Sequence, residues 1–102
     1  MSTENSTLKK IKVNHDLQPP SKYQVIFMND DVTAMDFVIA VLNEIFGHSP
    51  QSAQELTAKI HIEGSACVGV MSYELAEQKA METTILARNN SFPLDIKIKP
   101  DG

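Results

Sequence analysis

The stretch Tyr23-Gln24-Val25-Ile26-Phe27-Met28-Asn29-Asp30-Asp31 decides the fold. Its first six residues are short, β-branched and aromatic, which predicts a buried strand, and the polar triplet Asn29-Asp30-Asp31 ends it. Downstream, Thr33 is a candidate helix cap, with Asp36 at the third position as a weaker variant of the capping box. Met35, Val38, Ile39, Leu42, Ile45 and Phe46 then recur at helical spacing, and Gly47 suits a left-handed stop. Ser49-Pro50 predicts a second helix, with serine as cap and proline at the first position, where its missing N–H costs nothing. That helix carries Ala53, Leu56, Ile60 and Ile62 and ends at Gly64. Ala66-Cys67-Val68-Gly69-Val70-Met71 predicts a second buried strand. Ser72 caps a third helix to about Asn89 that carries Leu75, Ala76, Lys79, Met81, Ile85 and Leu86, and Pro93 precludes its continuation. Leu94, Ile96 and Ile98 alternate with Asp95, Lys97 and Lys99, the pattern of a strand with one buried face. The order β-α-α-β-α-β predicts a small α+β domain, a three-stranded antiparallel sheet with three helices packed on one face.

Upstream of Tyr23 the composition changes. Residues 1–22 hold five hydrophobic residues (Met1, Leu8, Ile11, Val13 and Leu17), whereas all six aromatics lie beyond them. Four lysines against Glu4 and Asp16 give this segment a charge of +2, so the remainder of a chain of net charge −4 carries −6. A segment this polar cannot bury enough surface to offset the entropy of ordering it. Pro19-Pro20 marks a stiff junction. The expectation is a flexible N-terminal extension over residues 1–22 and a core domain over residues 23–102. The whole is 102 residues, 42% hydrophobic and 22% charged, room for one domain and too apolar for general disorder. No apolar run is long enough to span a bilayer, and the N-terminus shows neither a signal nor a transit peptide. One cysteine, Cys67, cannot form an internal disulfide, which points to a cytoplasmic setting. The acidic balance, with a pI of about 5.2, argues against nucleic-acid binding.

Catalytic readings find little support. There is no glycine-rich phosphate loop, no nucleophile elbow and no Cys-x-x-Cys pair. His15, His48, His61 and Cys67 lack metal-ligand spacing, so no metal site and no cofactor are expected. Cys67, among apolar neighbours, reads as an inert core thiol. Asp30-Asp31 after a strand is similar to the acidic magnesium pocket of receiver domains, but the repeating βα pattern and the third aspartate of that pocket are missing. Two accounts of Asn29-Asp30-Asp31 stay open on the residues alone. It is a polar loop that bonds local backbone N–H groups and introduces the helix. Alternatively, its acceptors, with His61 at the end of the second helix, hold a cation such as a peptide's α-ammonium group beside an apolar cavity.

Residues Pro19-Pro20-Ser21-Lys22-Tyr23 and Asn29-Asp30-Asp31-Val32-Thr33-Ala34-Met35-Asp36-Phe37-Val38 resemble the bacterial ClpS adaptors, partners of the ATP-dependent Clp protease. The likeness continues through Ile60-His61, Gly64, Cys67, Gly69-Val70, Glu74, Ala76-Glu77, Lys79, Ala87-Arg88 and Pro93-Leu94, about 80 residues in all. The resemblance implies a monomeric adaptor rather than an enzyme. Such an adaptor binds substrates that begin with Leu, Phe, Tyr or Trp and delivers them to the N-terminal domain of the ClpA unfoldase, with no nucleic-acid or membrane partner. By motif match, Asn29, Asp30 and His61 would hold the substrate's α-amino group, and Asp31 would support the acidic surroundings. Thr33, Met35, Val38, Ile60 and Leu94 would line the side-chain pocket. Thr57 stands where a methionine is frequent in this family, a departure that bears on the ranking of Leu, Phe, Tyr and Trp. Glu74 and Lys79 would carry unfoldase docking, and the N-terminal extension would engage the unfoldase during delivery. Against this stand a general interaction module sharing the fold, indifferent to a peptide's α-amino group, and an Asp/His hydrolase built on Asp30, Asp31 and His61, which would need metal or pH-dependent turnover.

Overall fold

The computed structural model describes residues 21–102. The extension expected over residues 1–22 therefore lies, apart from Ser21 and Lys22, outside the described residues. The elements are β1 (Tyr23–Met28), α1 (Met35–Glu44), α2 (Pro50–Glu63), β2 (Ser65–Met71), α3 (Tyr73–Asn89) and β3 (Asp95–Pro100), the order expected. The strands form one antiparallel sheet in the order β2-β1-β3.

The central strand explains why the helices share one face. Val25 and Phe27 point inward and are fully buried, while Gln24, Ile26 and Met28, which alternate with them, are only half-buried. Antiparallel register sets Phe27 opposite Ala66 on β2 and Ile96 on β3, so all three strands contribute to the same apolar face. Val41 and Leu42 of α1 and Ala53 and Ile60 of α2 close over it. The Phe46 ring meets Phe27 edge-on at 5.5 Å. Burial of a side chain such as Phe27 or Leu42 contributes about 1.5–3 kcal/mol apiece.

Helix ends follow local chemistry, with one correction. Ser49 caps α2 by accepting the Ser52 N–H at 3.1 Å, and Ser72 caps α3 by accepting from Leu75 N–H at 3.4 Å. Gly64 ends α2 at φ +93°, where a side chain would be strained, and Gly47 follows α1 at φ +76°. Thr33, however, does not cap α1. Ala34 occupies the cap position without a side-chain bond, because Thr33 directs its N–H and hydroxyl at Asp30 instead.

Three expectations about burial also change. Cys67 is exposed and free. Ala66 and Val68 take the inward positions of β2, and alternation turns the thiol between them to the open side of the sheet. A bulge at Val68 follows, since Val25 pairs with Gly69 but Ile26 pairs with Cys67. On α3 the buried residues are Ala76, Thr83 and Ala87; Leu75, Met81, Ile85 and Leu86 face solvent. A stripe of small residues lets the helix lie close on the sheet, and the larger apolar residues fall outside it. Ile62 projects from the last turn of α2 with 79% of its surface exposed.

Candidate functional site

The end of β1 and the end of α2 are tied together by one backbone bond. Asn29 N–H donates to Gly64 O at 2.9 Å, which sets the Asn29-Asp30-Asp31 turn against the last turn of α2, where His61 sits exposed. Asp30 then builds the turn around its own carboxylate. Oδ1 accepts the Val32 N–H at 2.8 Å and the Thr33 N–H at 2.6 Å, and Oδ2 accepts the Thr33 hydroxyl at 2.7 Å. Burial of this carboxyl works to raise its pKa. The bonds from Thr33, then that from Val32, and finally the Arg88 charge outweigh that penalty and hold it below the ordinary aspartate value.

From the Asp30 turn the chain enters α1 at Met35, and one turn later Val38 points inward. Thr57, Ile60 and His61 lie three and four residues apart on α2, so they share one face of that helix. Leu94, just before β3, is buried against the same region. These elements line one recess. Its polar edge is Asn29, Asp30 and His61; its apolar walls are Met35, Val38, Ile60 and Leu94, with Thr33 and Thr57 between them.

The buried Thr57 hydroxyl is satisfied, donating to Ala53 O one turn back at 2.8 Å, so a polar residue in this wall leaves no orphaned donor. Met35, at the first position of α1, lines the recess while remaining exposed, and its flexible thioether can move with a guest.

Of the expected site residues, Asp31 alone does not line the recess; it is exposed on the outside of the turn. Met28 lines it without having been expected. Strand alternation assigns Met28 to the open face, and the signal that could have found it is its place directly before Asn29. The docking candidates lie elsewhere. Glu74 is exposed in the first turn of α3, whereas Lys79 is half-buried, donating to Ile45 O at 2.7 Å beneath the Phe46 ring. Glu74 and Lys79 thus do not form a pair.

Chemically, the recess offers a carboxylate, an amide carbonyl and an imidazole beside an apolar cavity. An ammonium group carries three donors and no acceptor, so it complements such an edge, and an apolar side chain complements the cavity. Among the described residues no group of three or more His, Cys, Asp or Glu is arranged to hold a metal ion, and no helix is long and apolar enough to cross a membrane.

The family of the ATP-dependent Clp protease adaptor protein ClpS matches residues 18–97. The ATP-dependent Clp protease adapter protein ClpS of Treponema denticola is 45% identical over 80 residues, covering 78% of this chain and 79% of its own. That of Pectobacterium carotovorum is 44% identical over 92 residues, covering 90% of this chain and 85% of its own. In structure, Agrobacterium tumefaciens ClpS2 bound to L-phenylalaninamide superposes with a TM-score of 0.77 at 36% identity, over 80% of this chain and 99% of that one. The chain belongs to the ClpS family and is an adaptor of the ATP-dependent Clp protease, not an enzyme.

Proposed function

We propose that this adaptor recognises substrates by a free α-amino group and a large hydrophobic first residue, Leu, Phe, Tyr or Trp. It delivers them to the ClpA unfoldase for degradation by ClpAP in the cytoplasm. The observation that carries the reading is the convergence of Asn29, Asp30 and His61 on one edge of an apolar recess. An α-ammonium group on the polar edge directs the first side chain into the cavity, where burial contributes roughly 1.5–3 kcal/mol. The ligand of the Agrobacterium relative, an aromatic amino-acid amide, has this pair of features. Asp31, outside the recess, adds long-range negative charge only. Lysine or an acetylated terminus forfeits one half of the recognition each.

Docking on the N-terminal domain of ClpA is assigned to α3, with Glu74 exposed for contact and Lys79 bracing the end of α1 as well as contributing charge. The adaptor works as a monomer, and residues 1–22 act in delivery after docking. Reconstituted ClpAP tests the reading: a Leu-initiated reporter should be degraded only when the adaptor is present, and a Gly-initiated reporter should not respond. Equal stimulation of both reporters would refute it.

A further inference from the structure

Arg88 stands in the last turn of α3, outside the recess, yet it is bonded to the recess wall. Its Nη1 donates to two carbonyls of the connection into β3, Phe92 O at 2.9 Å and Leu94 O at 3.0 Å. That connection needs holding. Ser91 within it sits at φ +62°, a left-handed conformation that a non-glycine residue keeps only where its surroundings fix it. Backbone bonds from Ser91 N–H to Arg88 O and from Phe92 N–H to Ala87 O wind the chain back over the helix end, and the Phe92 ring packs on Phe37 of α1 at 5.1 Å. Beyond Phe92 the chain must still place Leu94, which is buried and forms one apolar wall. The link from the helix to that wall is the Arg88 guanidinium. Both bonds leave one nitrogen, whose two N–H groups the planar guanidinium holds at a fixed spread, whereas a lysine ammonium is a compact charge on a flexible stem.

We propose that Arg88 is a positioning residue for recognition of the substrate's first side chain: by holding the Leu94 carbonyl it fixes the wall against which that side chain packs, and so sets side-chain selectivity without contacting the substrate. This inference rests on the proposed reading of the recess as a site for an N-terminal residue. The polar edge is built separately, by the Asp30 turn and the Asn29–Gly64 bond, so the α-amino contact should survive loss of Arg88. Arg88 is also the cation whose charge acts on Asp30.

The test compares Arg88→Ala, Arg88→Lys and the parent by fluorescence anisotropy. The probes are three peptides that differ only in beginning with Phe, Leu or Ala, together with the acetylated Phe peptide. Arg88→Ala should weaken the Phe peptide about tenfold, the scale of one charge-assisted bond to a carbonyl. It should shrink the preference for Phe over Ala by a similar factor and leave the ratio of free to acetylated Phe binding within about twofold. Arg88→Lys, which keeps the charge and donors without the guanidinium's fixed geometry, should restore part of the preference. An unchanged preference in Arg88→Ala, or an equal loss for every peptide, overturns the proposal. If Arg88→Ala does not fold, Arg88→Met decides it, since it keeps the alkyl stem and removes both donors, and a parental preference there overturns the proposal. Failure of the underlying reading looks different, because the parent protein would then bind free and acetylated peptides alike.

Discussion

Replacing Asp30 separates the two tasks that its carboxylate performs. Alanine at this position removes three accepted bonds of 2.6–2.8 Å and leaves the Val32 and Thr33 N–H groups to water. The turn is partly exposed, so the loss resembles that of a helix cap, about 1–2 kcal/mol. In a domain of this size each kcal/mol lowers Tm by roughly 4–8 °C. Asp30→Asn keeps an oxygen where Oδ1 now accepts two backbone N–H groups and should cost under about 1 kcal/mol. Both variants lose the negative charge facing an ammonium group, and with it roughly 1.5–3 kcal/mol of peptide affinity, a factor of about 10 to 100. Thermal melts and anisotropy with a Phe-initiated peptide read the two quantities. The account predicts Asp30→Ala weak in both and Asp30→Asn weak in binding only. A stable Asp30→Asn that binds like the parent would refute the reasoning. Acid adds a check. The folded-state pKa of Asp30 lies below its unfolded value. Its contribution to stability is therefore complete above the unfolded pKa and is lost as pH falls through the folded one. Asp30→Asn should lack that acid-side loss.

Three further outcomes follow. Lys79→Glu sets a carboxylate against the Ile45 carbonyl at the end of α1, so it should cost about 1–2 kcal/mol in urea unfolding as well as weaken unfoldase docking, with peptide affinity unchanged. Gly64→Ala adds a Cβ that meets nothing within 4 Å but sits at φ +93°, so backbone strain alone should lower stability by about 1–2 kcal/mol in a thermal melt, more than Gly64→Asn does. Removal of residues 1–18 should leave peptide binding and docking intact and slow degradation of a Leu-initiated reporter; full-speed turnover would mean that the segment is passive in delivery.

Local chemistry made much of this fold legible. Ser49-Pro50, Gly64 and Ser72 mark their helix ends in the structure as they do in the sequence, because each bond or dihedral involved is decided within four residues. Thr33 misled although its competitor is local: Asp30, three residues back, takes its hydroxyl and wins. The inward face of α3 was hidden because close packing on a sheet favours Ala76, Thr83 and Ala87 over the larger Leu75 and Met81, contrary to a hydrophobic count. Cys67 was misplaced because an apolar run carries no alternation from which to read direction. Nine recess residues were named from their likeness to a family motif, yet sequence spacing alone could not bring Asn29 to His61 across 32 positions; the Asn29–Gly64 bond does that. Arg88 has no sequence signal for its bond to Leu94, since the distance is set by how the connection folds back over the helix end.

The central claim is that the polar edge reads a free α-amino group while the recess reads the side chain. Isothermal titration with two peptides that begin with Phe and differ only in N-terminal acetylation tests it most directly. Acetylation removes the positive charge and at least two donors from a site with fixed acceptors, so the acetylated peptide should bind weaker by about 2–4 kcal/mol, roughly 30-fold to nearly 1,000-fold. Equal affinity of the two peptides would contradict the account.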